Sequence, residues 1–186
     1  MIRRLALAVI LATSTAQAQP LDLDTIAKQP GTEVIRNGDK VEVKRAGVTV
    51  TIDKDGETSL DHSGKAVLCY WNLAVVLKIA ADLCYPEEFP QLRRMLDEQI
   101  DAANAFIAAN SLRPISKAEL EKSIEDRKAK AAAGIKAAGM PPAQNRVCQQ
   151  QREEELIPLN AELEKYRQEF KEALAVPRPP ARNPCF

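Results

Sequence analysis

Residues 66–84 read AVLCYWNLAVVLKIAADLC, and how this stretch folds decides the architecture. Val67, Leu68, Trp71, Leu73, Val75, Val76, Leu77, Ile79 and Leu83 leave no polar face of ordinary width. A helix apolar nearly all round belongs in the middle of a bundle. A membrane span is the other home for such a run. Asn72, Lys78 and Asp82 interrupt it, and charge inside a bilayer is costly, so the buried helix is the better reading. The run also carries a cysteine near each end. Cys69 and Cys84 would stand about 22 Å apart on one continuous helix at 1.5 Å per residue. A disulfide needs Cα atoms about 4.4–6.8 Å apart. They therefore do not pair with each other, and each must take Cys148 or Cys185.

Downstream the chain stays helical. Pro86 breaks it and can open a second helix over about Glu87 to Asn110, with Phe89, Leu92, Leu96, Ile100, Ala103, Phe106 and Ile107 as its apolar stripe. Leu112 to Ile115 is a linker. Ser116-Lys117-Ala118-Glu119 is a capping box that starts a third helix, weakly amphipathic through Leu120, Ile124 and Ile135, at the edge of the fold. Gly139 and Pro141-Pro142 stop it. A fourth helix starts near Pro142, bends or breaks at Pro158, and resumes with Leu159, Leu163, Tyr166, Phe170 and Leu174. In an up-down bundle the start of helix four lies near Cys84, and the tail leaves it near Cys69. That arrangement pairs Cys84 with Cys148 and Cys69 with Cys185. Closing loops of this size adds on the order of 4–5 kcal/mol each in the chain-entropy model. A metal site is the rival use of the cysteines. It lacks the CxxC spacing of zinc ligands, and His62 is the single histidine.

Upstream, Asp22 to Gln29 can form a short helix ending at Pro30. From Thr32 the apolar period becomes two. Val41 and Val43, then Val48, Val50 and Ile52, alternate with polar residues between turns at Asn37-Gly38, Ala46-Gly47 and Asp53 to Gly56. This is an antiparallel meander with one apolar face, which needs cover from the helices. The fold class expected is α+β, a small β-meander packed on a disulfide-stapled four-helix bundle. Residues 1–18 read as a signal peptide, with basic Arg3-Arg4, an apolar run and Ala16-Gln17-Ala18 at the cleavage site. Residues 19–64 hold the N-terminal segment and meander, 65–176 the bundle, and 177–186 a proline-rich tail tied back by Cys185. A periplasmic or secreted location follows, where disulfides persist, with no stable membrane anchor after cleavage.

Arg3 and Arg4 belong to the signal. Without them, 26 basic residues against 26 acidic ones become a slight acidic excess, which gives no support to nucleic-acid binding. Aromatic residues make up only 4%, so Tyr70, Trp71 and Tyr85 are of interest as lining for a cleft, though core packing explains them too. Asp61-His62-Ser63-Gly64 contains tempting residue types, but adjacent positions in a turn do not assemble a triad. Asp53-Lys54-Asp55-Gly56-Glu57 lacks the twelve-residue pattern of a calcium loop and reads as hairpin chemistry. Glu153-Glu154-Glu155 reads as a solvated face, and Lys78 as the partner of Asp82. The chain shows no phosphate loop, nucleophile elbow or HExxH motif. No catalytic residue, cofactor or metal is expected.

Residues 104–111, NAFIAANS, with the flanking cysteines and the Asn183-Pro184-Cys185-Phe186 end, resemble small uncharacterised exported bacterial proteins with a disulfide-stapled helical domain. The resemblance covers the helical part, leaves out the meander, and implies no activity and no functional residues. The function expected is a non-enzymatic periplasmic interaction module for an unknown protein partner. The alternative is a carrier of a small apolar ligand held between the helices, which a cavity beside Trp71 would favour.

Overall fold

The computed structural model describes residues 21–185. The signal peptide expected over residues 1–18, with its cleavage site, lies outside the described residues. Asp22 caps the first helix, α1 (Leu23–Ala27), by accepting from the Thr25 amide at 3.0 Å. Four strands follow: β1 (Thr32–Asn37), β2 (Lys40–Arg45), β3 (Val48–Asp53) and β4 (Gly56–Asp61). They pair antiparallel in sequence order. The register sets Val43 opposite both Val34 and Val50, so one valine row crosses three strands. At the β2–β3 turn, Ala46 and Gly47 both have positive φ, 47° and 79°. That is the geometry of a type I′ hairpin, whose twist matches the strands.

Val43, Val48 and Val50 are buried against Ile26 of α1, Ala66, Cys69 and Ala181, with Leu21, Leu23 and Leu112 at the margin. The cover for the sheet is thus assembled from α1, the first turn of the next helix, a linker and the tail. The tail is held closely. The Asp61 amide donates to the Asn183 carbonyl at 2.7 Å, and the Leu68 amide to that of Ala181 at 2.9 Å.

The quoted stretch is one helix, α2 (Val67–Cys84). It is long and apolar enough to cross a membrane, but it buries Val67, Cys69, Val75, Leu77, Ile79, Ala81 and Cys84 inside the protein. Next come α3 (Pro90–Asn110) and α4 (Lys117–Ala137). The helix expected from Glu87 begins at Pro90, whose ring suits the first helical position. Phe89 before it takes a left-handed conformation, φ 55° and ψ 47°, instead of the extended backbone usual before proline. Ser116 and Glu119 form both halves of the capping box on α4.

The fourth helix departs from expectation. It is α5 (Arg146–Gln151), a π-helical turn over Arg152–Leu156, α6 (Ile157–Ala161) and α7 (Leu163–Leu174). Pro158 does not break it. The wider turn just before the proline, with the Ile157 amide bonded to the Arg152 carbonyl, makes room for a ring that a regular helix would push against a carbonyl. The break falls at Glu162, φ −122° and ψ 33°. The architecture is α+β, with a four-stranded antiparallel sheet, a set of helices and two disulfides.

Candidate functional site

Cys69 is bonded to Cys185 and Cys84 to Cys148, with Cα separations of 5.4 and 5.7 Å. The first bond clamps the tail to the start of α2. The second ties the end of α2 to α5.

Most of the residues singled out in the sequence have structural partners. Asp61 is buried and accepts from the Ser63 amide at 2.8 Å and from Arg178 Nε at 2.9 Å. Burial alone would raise its carboxyl. The Ser63 bonds and the Arg178 guanidinium outweigh that and hold it below the usual carboxylate value. His62 lies with Nε2 3.2 Å from Thr49 Oγ1, so Asp61, His62 and Ser63 do not form a relay. Asp53 accepts from the Asp55 amide within the hairpin, and Glu57 pairs with Arg113. Among the described residues no three His, Cys, Asp or Glu side chains converge as a metal site. Trp71 donates to Asn104 at 2.7 Å, with Arg127 over its ring. Tyr85 is buried edge-on to Phe89, and Tyr70 meets Phe170 edge-on. Glu153, Glu154 and Glu155 are exposed.

Asp82 gathers three cations. Lys78 sits 2.8 Å away on its own helix, Arg93 of α3 at 3.1 Å, and Lys128 of α4 at 2.7 Å. Burial pulls the Asp82 carboxyl up. Hydrogen bonds from Lys128 and Lys78 pull it down further, leaving it below the usual value. This carboxylate fastens α4 to α2 and α3 midway along its length.

Beyond that fastening, α2 and α4 leave a groove of about 700 Å³ between them, closed on its third side by α5 and the segment before it. One wall is Val76, Ile79, Ala80 and Leu83 of α2. The opposite wall, Ala131, Gly134, Ile135 and Ala138, has side chains mostly too short to fill the space. Met140 and Val147 complete the rim, and the Cys84–Cys148 bond forms part of the floor. Six large hydrophobic side chains are exposed among the described residues, and three of them, Val76, Met140 and Val147, line this groove. Its volume is in the range of small-molecule sites, about 300–1,000 Å³.

The groove is not beside Trp71, where a cavity would favour the carrier alternative. It opens on another side of α2, and the indole is engaged by Asn104 and Arg127; a further cavity of about 560 Å³ lies against Tyr70, Leu73 and Leu77 of α2. From the sequence, Val76, Ile79 and Leu83 belong to the apolar run of α2 and Ile135 to the apolar side of α4, and none of them is assigned to a site. A signal was present: an all-apolar α2 needs apolar cover on every side, and a Lys-, Glu- and Ala-rich α4 cannot supply it. Compared with family models, curated proteins and solved structures, the chain shows no match.

Proposed function

We propose that this chain is a non-enzymatic binding protein of the periplasm or secreted space that carries a small apolar ligand between its helices. In this reading α2, α3, α4 and the α5–α7 run act as a disulfide-stapled four-helix bundle, and the ligand lies in the groove left by α4. The observation that carries the reading is the concentration of exposed apolar side chains on one concave surface of molecular size. Soluble proteins rarely leave such a surface without a use. An unknown protein partner is the other occupant compatible with the sequence. The remaining exposed apolar residues, Leu60, Ile157 and Val176, stand on three different segments, which favours the groove and its ligand over a broad docking face. The signal-like N-terminus and the two disulfides support an oxidising location.

Gly134 supplies the test. It lies in α4 with helical geometry, and an added Cβ meets nothing within 4 Å. Gly134→Leu therefore puts a side chain into the groove while gaining helix propensity of about 0.8 kcal/mol. Mature protein stripped of lipid should bind the probe 1-N-phenylnaphthylamine saturably at one site. Gly134→Leu should weaken that binding at least about tenfold, with no fall in urea midpoint. Equal binding by both proteins would remove the groove as the ligand site.

A further inference from the structure

We infer that the groove is built for a free single-chain amphipath with an anionic head, a carboxylate held by Arg146. The inference rests on the carrier reading and adds the ligand's polarity to it.

The lining is polar at one end only. Its side-chain polarity comes from Gln144, Asn145, Arg146 and Gln151, all within eight consecutive positions. The walls from α2 and α4 contribute aliphatic side chains and glycine. An apolar chain with a polar head at one end matches that division. Gln144 and Arg146 are exposed at this end, so a wholly apolar ligand would leave them to water and gain nothing from them.

The head is anionic because Arg146 is the one charged residue in the lining. It forms no ion pair with a described residue. The neighbouring cations on the surrounding elements are committed: Lys128 to Asp82, Arg127 to Asn72, and Arg152 to Glu88. Lys130 and Lys136 of α4 likewise form no ion pair with a described residue, but they lie outside the lining. A guanidinium offers a fork of donors matched to a carboxylate. Asn145 Oδ1 is taken, accepting from the Val147 amide at 2.9 Å, which leaves the side-chain NH2 as a neutral donor beside Arg146. Gln151 makes the second demand at this end. Its Oε1 is buried without a hydrogen-bond partner; a carboxylate is acceptor-only, so the donor that relieves this cost is a water held between the head and Gln151.

The experiment uses three ligands with one tail and different heads, each below its micelle concentration: dodecanoate, dodecanol and dodecyltrimethylammonium. Each displaces the naphthylamine probe from the mature protein. Dodecanoate should displace it at a concentration up to about fivefold lower than the alcohol, the span of one exposed charge pair, and the ammonium should be weakest. Arg146→Gln should bring dodecanoate level with dodecanol and leave dodecanol unchanged. High salt should do the same to the wild type. Equal displacement by all three heads, unaffected by Arg146→Gln, would overturn the anionic head while leaving the carrier reading intact. Probe binding that ignores Gly134→Leu would overturn both. Phosphatidylglycerol vesicles should sediment no protein. Sedimentation abolished by Gly134→Leu would make the groove a membrane contact and overturn the free ligand.

Discussion

Helices α3 and α4 are both 21 residues long, and both pack against α2, yet they hold to it by different physics. α3 buries Leu92, Met95, Leu96, Ala103 and Ile107, a stripe that repeats at three and four residues. α4 buries only Leu120. Besides Leu120 it is attached by Lys117 on Asp101 of α3, by Arg127 on Asn72 and by Lys128 on Asp82. Where those attachments end, the groove begins. Helix propensity and helix packing are separate properties. α4 is rich in Ala, Lys and Glu and forms readily from local signals, but it carries too little apolar surface to close over α2.

Truncating matched side chains on the two helices should separate them most. Leu96 of α3 is 1% exposed and packs in the largest core cluster. Leu96→Ala should cost about 3 kcal/mol through lost burial and the cavity left behind. Ile135→Ala, on the groove face of α4, should cost less than about 1 kcal/mol, because that site is already open on one side. Urea denaturation followed by circular dichroism reads both. Similar losses would mean that α4 is packed as tightly as α3.

A second measurement addresses the polar fastening. Asp82→Asn leaves Lys78, Arg93 and Lys128 around a neutral amide and should cost about 2 kcal/mol near neutral pH. The sign with pH follows from the lowered carboxyl. A group whose folded value is below its unfolded value of 3.8 adds stability that is complete above that value and lost as pH falls through the folded one. The gap between wild type and Asp82→Asn should be full at about pH 6 and close in acid below about pH 3.8. A gap that ignores pH would exclude the carboxylate as the fastening.

Local patterns made much of the fold legible in the sequence. The strands follow from strict alternation at Val41–Val43 and Val48–Val50–Ile52, and their ends from Asn37-Gly38, Ala46-Gly47 and Asp55-Gly56. The continuity of α2 follows from its unbroken apolar run. That continuity leaves Cys69 and Cys84 with partners elsewhere, as they have in Cys185 and Cys148. What stayed illegible depends on distance between segments. Pro158 announces trouble in helix four, but whether a π turn absorbs it or the chain breaks is decided by packing around Leu156 and Leu159. The buried Asp61–Arg178 pair joins residues 117 positions apart. The groove is an unfilled volume, and a volume has no residue to mark it. Only the mismatch between an all-apolar α2 and a polar α4 pointed toward it.

The smallest effect tests whether α4 is locally specified. Ser116 Oγ accepts from the Glu119 amide at 3.2 Å, and the Ser116 amide donates to the Glu119 carboxylate at 2.7 Å. That backbone bond, followed by the one from the Ser116 hydroxyl, holds the Glu119 carboxyl below its usual value. Ser116→Ala removes the side-chain half of the box and should cost about 1 kcal/mol. The damage should stay in the first turn, read as faster amide exchange at residues 117–121, because Leu120 is the only buried anchor nearby. The groove wall starts at Ala131, beyond the Lys128–Asp82 fastening, so probe binding should not change. A loss above about 2 kcal/mol, or weaker probe binding, would show that the cap reaches the far end of α4. The helix would then behave as one rigid lever, its placement over α2 set at residue 116, and the contrast with α3 would lie in where each helix is anchored.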